Sequence, residues 1–206
     1  HSTSRRQRQM CIRDRQATVQ LGKLGVQSIV NSMGVFVSAA FAAVNRIDDF
    51  AYMPQQNIAH AMTALMAQNK GAKKTDRIKA AFRCGMKIEI FYGIFIFFVC
   101  FFFAHPLMQL FSNDPVVCKH GVTYLKLISL MYLFPAVTNG VQGYFRGIGD
   151  LKVTLISSFV NMSVRMVFAA VLVFHFSLQI EALPFSYLAG WIGMLVAEVP
   201  LLLRKL

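Results

Sequence analysis

Four stretches of the chain carry polar side chains at helical spacing within otherwise apolar sequence. Gln27, Asn31, Gly34 and Ser38 form one, and Tyr52, Gln56, His60 and Thr63 a second. Tyr132, Pro135, Asn139, Gln142 and Arg146 form a third, and Thr154, Ser158, Asn161 and Arg165 a fourth. Steps of three and four residues place each set on one face of a helix. In hydrocarbon such a face must be satisfied by protein or by water. Two chemistries meet that need: interhelical hydrogen bonds, worth about 0.6 kcal/mol each, or a shared watered cavity that admits a solute. A simple membrane anchor needs neither. The residues expected to line such a cavity are Gln27, Asn31, Gln56, His60, Asn139, Gln142, Asn161 and Arg165. Arg165 is the most costly of them, because it falls near mid-depth in its segment, where an arginine costs about 2.5–3.5 kcal/mol. Glu89 and Glu198 lie toward the cytoplasmic ends of their predicted helices, which leaves backbone carbonyls, water or a residue outside this chain to compensate it.

Composition supports the hydrocarbon setting. The 206 residues are 56% hydrophobic and only 15% charged, with a mean hydropathy of +0.52, whereas soluble domains carry about a quarter charged residues. The net charge of +12 would suit nucleic acid on a soluble surface, but the basic residues fall between long apolar runs, so membrane lipid is the expected partner and nucleic acid is not. Enzyme chemistry has no motif behind it: there is no HExxH, P-loop or GxSxG. His60, His105 and His175 stand at no mutual metal-ligand spacing, and Cys11, Cys84, Cys100 and Cys118 form no CxxC pair, so neither a metal site nor a cofactor is expected. Asp48-Asp49 either binds a cation or is simply solvated in a loop.

These residues require membrane helices to position them. Charge-free windows run over residues 24–45, 50–69, 90–113, 127–145, 153–164 with 166–180, and 182–197. Several reach the ~20 residues that a crossing takes. Between the second and third windows lie Lys70, Lys73, Lys74, Arg77, Lys79, Arg83 and Lys87, which marks that segment as a cytoplasmic loop. Alternation then gives an all-α polytopic bundle of about six crossings, with both ends cytoplasmic, in the inner cell membrane. Arg46, Asp48 and Asp49 fall in an outer connection, as does Cys118, while Cys84 lies inside. Asp114 before Pro115 predicts a capped helix start, Gly147-Ile148-Gly149-Asp150 its end, and Pro184 a break before a last helix over 187–203. The phenylalanine-rich third helix is expected to face lipid. Gly143 and Gly147 either let two backbones approach or merely cap the helix end. The joint between the first two helices is tight, because 44 residues from Leu24 to Ala67 at about 1.5 Å each leave almost nothing for a turn. Residues 1–16 begin with His1 and carry five arginines. They are expected to be a disordered basic arm or foreign sequence, QMCIRDR resembling translated sequencing adapter, which leaves 17–206 as the membrane lobe.

Three segments carry a family resemblance. FAYMPQQNIAHAMTALMAQNKGA with KKTDRIKAA resembles the second helix of a half of multidrug and toxic compound extrusion (MATE) transporters. GYFRGIGDLKVTL resembles that family's turn between fourth and fifth helices, and VRMVFAA its fifth-helix arginine segment. The resemblance covers about residues 21–205 and implies the C-terminal lobe of a two-lobe antiporter that exchanges a drug-like, often cationic organic solute for Na⁺ or H⁺. It further implies that an N-terminal lobe is the partner, and that the coupling ion binds there, since the first and fourth helices here lack mid-helix carboxylates. The family pattern is longer around Val37 to Ala39, so that junction resembles a deletion. A lipid-linked oligosaccharide flippase of the same superfamily and a non-transporting scaffold are the alternatives.

Overall fold

The computed structural model describes residues 22–175 and 180–204, so the expected arm at residues 1–16 lies outside the described residues. Among the described residues the chain is all-helical. Helix α1 covers residues 22–32. It is followed by α2 (Val35–Gly71), α3 (Thr75–Phe102), the short α4 (Ala104–Gln109), α5 (Pro115–Ser129), α6 (Leu133–Gly147), α7 (Leu151–Phe174) and α8 (Ala182–Leu203). Of these, α3, α7 and α8 are each long and apolar enough to cross a membrane, and α5 with α6 make a fourth span if the pair, bent by 52°, is taken as one.

Local chemistry sets most boundaries. The Asp114 carboxylate accepts from the Val116 amide at 2.8 Å and stands 3.4 Å from that of Val117, satisfying donors that the first turn of α5 leaves free. Pro115 follows at the first helical position, where its missing donor costs nothing. Gly149, at φ +79°, turns the chain from α6 into α7. Pro135 sits in the first turn of α6, just past the bend. Pro184 likewise falls in the first turn of α8, so it begins that helix where the sequence suggested a break.

Two expectations about the first half are corrected. The first two helices do not separate at Arg46–Asp49: α2 runs through it unbroken for 37 residues, about 55 Å at 1.5 Å per residue. The chain turns at Gly34, φ +107°, which leaves α1 too short to span and removes the outer connection. Asp48 is 4% exposed within α2, so it is a mid-helix carboxylate and no loop residue. The basic segment is also mostly helix: Arg77, Lys79, Arg83 and Lys87 lie on the first turns of α3, since nothing after Lys74 interrupts helical hydrogen bonding and their charged tips project outward.

The core sits where α2 crosses α5 and α6. Val30, Ala40, Phe41, Val44, Tyr124, Ile128 and Tyr132 bury one side chain against another, and a smaller cluster joins Met62, Met66, Phe82, Tyr144 and Phe145 nearer the basic end. The outer face of α3 is the opposite case: Phe91, Phe95, Phe98 and Phe102 are 51–76% exposed, an apolar strip that suits lipid. Gly143 and Gly147 form a seam between helices and not only a cap. A Cβ on Gly143 would meet the Ala59 carbonyl oxygen at 3.0 Å, and one on Gly147 the Thr63 carbonyl oxygen at 3.2 Å. Thr63 stitches the same seam, its hydroxyl donating to Ala59 O at 2.8 Å and Gly143 O at 3.1 Å.

Two measurements follow from this arrangement. Gly143→Val is expected to cost about 1–3 kcal/mol, read as a lower apparent Tm in detergent, whereas Gly71→Ala, with open space around it, leaves Tm nearly unchanged. For topology, Cys118 is a poor reporter because it is only 8% exposed. Asn113→Cys in intact spheroplasts should take up a membrane-impermeant maleimide while the exposed Cys84 is spared; the reverse labelling overturns the orientation.

Candidate functional site

Five helices converge on one half-enclosed cavity of about 670 Å³. Helix α1 brings Lys23 and Gln27, and α2 brings Asn45, Asp48, Asp49, Tyr52 and Gln56. Helix α6 contributes Pro135, Thr138, Asn139 and Gln142, α7 Ser158, Asn161 and Arg165, and α8 Tyr187, Trp191 and Met194. Polar faces of different helices therefore meet in one space, and Phe41, Met53 and Met162 add apolar wall between them.

Six of the eight residues expected from the sequence line this space: Gln27, Gln56, Asn139, Gln142, Asn161 and Arg165. Asn31 and His60 do not. The turn at Gly34 ends the first stripe early, and the Asn31 side chain is used in holding that turn. It accepts from Gln27 Nε2 at 2.9 Å and stands 3.3 Å from the Ser38 hydroxyl, which also reaches the Val30 carbonyl. His60 is exposed on α2, one turn beyond Gln56 and past the cavity. Arg146 continues its stripe away from the cavity too, its Nε donating to Gln142 O at 3.2 Å.

The amide groups are oriented by packing. Gln142 Nε2 lies 3.4 Å from the Ser158 hydroxyl and 3.9 Å from Met194 Sδ, and Asn161 Nδ2 is 3.5 Å from the same sulfur. Gly190 lets α8 close on α7 here, because a Cβ would stand 3.0 Å from the Asn161 carbonyl oxygen. These contacts fix the two amides at the cavity wall.

Arg165 finds the compensation that the sequence left open. Its guanidinium carbon lies 3.1 Å from the centroid of the Tyr187 ring, a cation–π contact worth about 2 kcal/mol when desolvated. That offsets only part of an insertion cost of about 2.5–3.5 kcal/mol. The sequence left Asp48 between a cation ligand and a solvated loop residue, because charge beside charge reads as exposed. The carboxylate is instead held by the Tyr132 hydroxyl, which donates to it from 84 positions away. Tyr52 packs edge-on against that ring, with centroids 5.5 Å apart. Tyrosines on α2, the α5–α6 bend and α8 thus surround an acid and a base, a pattern without local sequence signal. Among the described residues no group of His, Cys, Asp and Glu could hold a metal ion.

The fold and cavity define a membrane helical lobe built around a polar, aromatic-walled space. A family profile described as MatE matches residues 15–171, and the chain belongs to that family. It is 25% identical over 175 residues to the probable multidrug resistance protein NorM of Thermotoga maritima, covering 83% of this chain and 36% of that protein. It is 28% identical over 176 residues to the probable multidrug resistance protein YoeA of Bacillus subtilis, covering 85% and 36% respectively. The fold matches an outward-facing MATE family transporter of the MOP superfamily with a TM-score of 0.86 at 12% identity, over 93% of this chain and 43% of the other. The chain therefore spans less than half the length of the proteins it resembles.

Removing the Tyr132 hydroxyl tests the buried acid. Tyr132→Phe leaves Asp48 without its donor and is expected to cost about 1–3 kcal/mol in thermal unfolding, whereas Tyr92→Phe on the outer part of α3 costs almost nothing.

Proposed function

We propose that this chain is one lobe of a secondary antiporter that exports drug-like organic solutes, of the cationic type the family resemblance implies, in exchange for Na⁺ or H⁺. The observation that carries it is the convergence of five helices on a single polar cavity inside an apolar bundle. An interior of hydrogen-bonding amides and aromatic rings suits a solute that is part polar and part flat. The relatives named multidrug resistance proteins, more than twice as long over the matched share, support a second lobe that closes the open side. Alternating access needs two such repeats.

The coupling ion is assigned to the second lobe as the family resemblance implies, although Asp48 supplies α2 with a mid-helix carboxylate where the sequence reading expects none. The basic residues at the start of α3 and at Arg204 support an orientation with the α2–α3 junction and the C-terminal end in the cytoplasm of an inner-membrane protein; both ends inside would need a first crossing that α1, at residues 22–32, is too short to supply. No catalytic role is assigned to any residue.

In the full-length gene, Asn139→Ala and Arg165→Gln should change drug resistance at least several-fold while the protein still reaches the membrane at normal abundance. Unchanged resistance with both, or loss explained wholly by reduced abundance, favours a scaffold instead. The 206-residue chain alone, reconstituted in vesicles, is expected to show no ion-coupled flux.

A further inference from the structure

The cavity wall carries an incompletely used cation. Arg165 is only 9% exposed and lines the cavity, yet its Nε is buried without a hydrogen-bond partner. Tyr187 covers the face of the guanidinium, and a ring face satisfies charge but not the five N–H donors, which lie in the guanidinium plane. Asp48, the buried acid of the same cavity, accepts from Tyr132, and among the described residues no hydrogen bond joins it to Arg165 Nε. The other charged residues around the cavity are Lys23 and Asp49, both exposed and away from the buried wall. A buried arginine with unfilled donors is costly, and the group that completes such a fork best is an oxyanion, by paired charge-assisted hydrogen bonds.

We infer that Arg165 is a docking point for an oxyanion on the transported solute, so that the cargo is an amphiphile with a flat apolar part and a carboxylate or phosphate. The flat part has a place beside the oxyanion: Trp191, Tyr187, Met162 and Met194 line the same space, and ring and thioether surfaces adapt to aromatic partners. This assignment rests on the reading of the cavity as the solute site and replaces the cationic type implied by the family resemblance with a solute that carries an oxyanion.

Trp191 is the chain's single tryptophan, so energy transfer from it to a dansyl group reports occupancy of this cavity. The purified 206-residue chain in detergent is titrated with dansylamide, dansylglycine, a dansylated phosphoethanolamine and dansylcadaverine, which share one ring system and differ in charge. The carboxylate and the phosphate probe are expected to half-saturate at concentrations at least tenfold below those of the neutral and the cationic probe. Arg165→Gln should remove that preference while dansylamide binding stays, and Arg165→Lys should retain part of it. Displacement of the anionic probes by phosphatidylglycerol identifies a lipid headgroup as the oxyanion source, and persistence identifies a soluble amphiphile; both place an oxyanion at Arg165. Equal affinity of all four probes, or preference for dansylcadaverine, in the unmodified chain overturns the assignment while leaving the solute cavity standing. Absence of any transfer overturns the cavity reading as well.

Discussion

The structure depends on keeping one guanidinium, that of Arg165, 9% exposed, inside a largely apolar bundle. A guanidinium in that setting is tolerated only where rings, an acid and polar neighbours surround it. Each of those comes from a different helix: the ring from α8, the acid from α2 and the tyrosine that fixes the acid from the turn before α6. Helices that are far apart in sequence are thereby obliged to converge, and the space between them is what the remaining amides face. The cavity is thus a consequence of how the charge is accommodated.

The outer surface answers to a different constraint. On α3 the phenylalanines from Phe91 to Phe102 turn outward, and the basic residues gather at one end of the same helix. Apolar sides with a charged end are what a hydrocarbon slab and its headgroups demand. The interior inverts this arrangement, with Thr138, Gln142, Ser157, Ser158 and Asn161 buried.

Features set within a few residues were legible before any coordinates. Asp114 with Pro115 and the glycines ending α6 follow from capping chemistry, which is local. Periodicity found six cavity residues for the same reason, since a helix face is a property of spacing. What escaped were features with distant causes. Asp48 looked solvated because its partner Tyr132 is remote in sequence, and with Asp48 taken for a loop residue, the break between the first two helices was placed there and not at Gly34. Tyr187, Trp191 and Met194 sit in an apolar segment where nothing distinguishes a cavity wall from a lipid face. Asn31 and His60 had the right spacing, but the turn at Gly34 and the length of α2 carried them out of reach.

The lysine that follows the QN pair has a mechanical consequence. Lys70, at the end of α2, donates to the Ile148 carbonyl in the corner between α6 and α7, and lower in the same seam the Gly143 and Gly147 backbones press against α2. The C-terminal third of α2 is therefore riveted to α6 and the corner that follows it. Two breaks in the helical path near the cavity lie outside this clamp: the turn at Gly34 and the bend between α5 and α6.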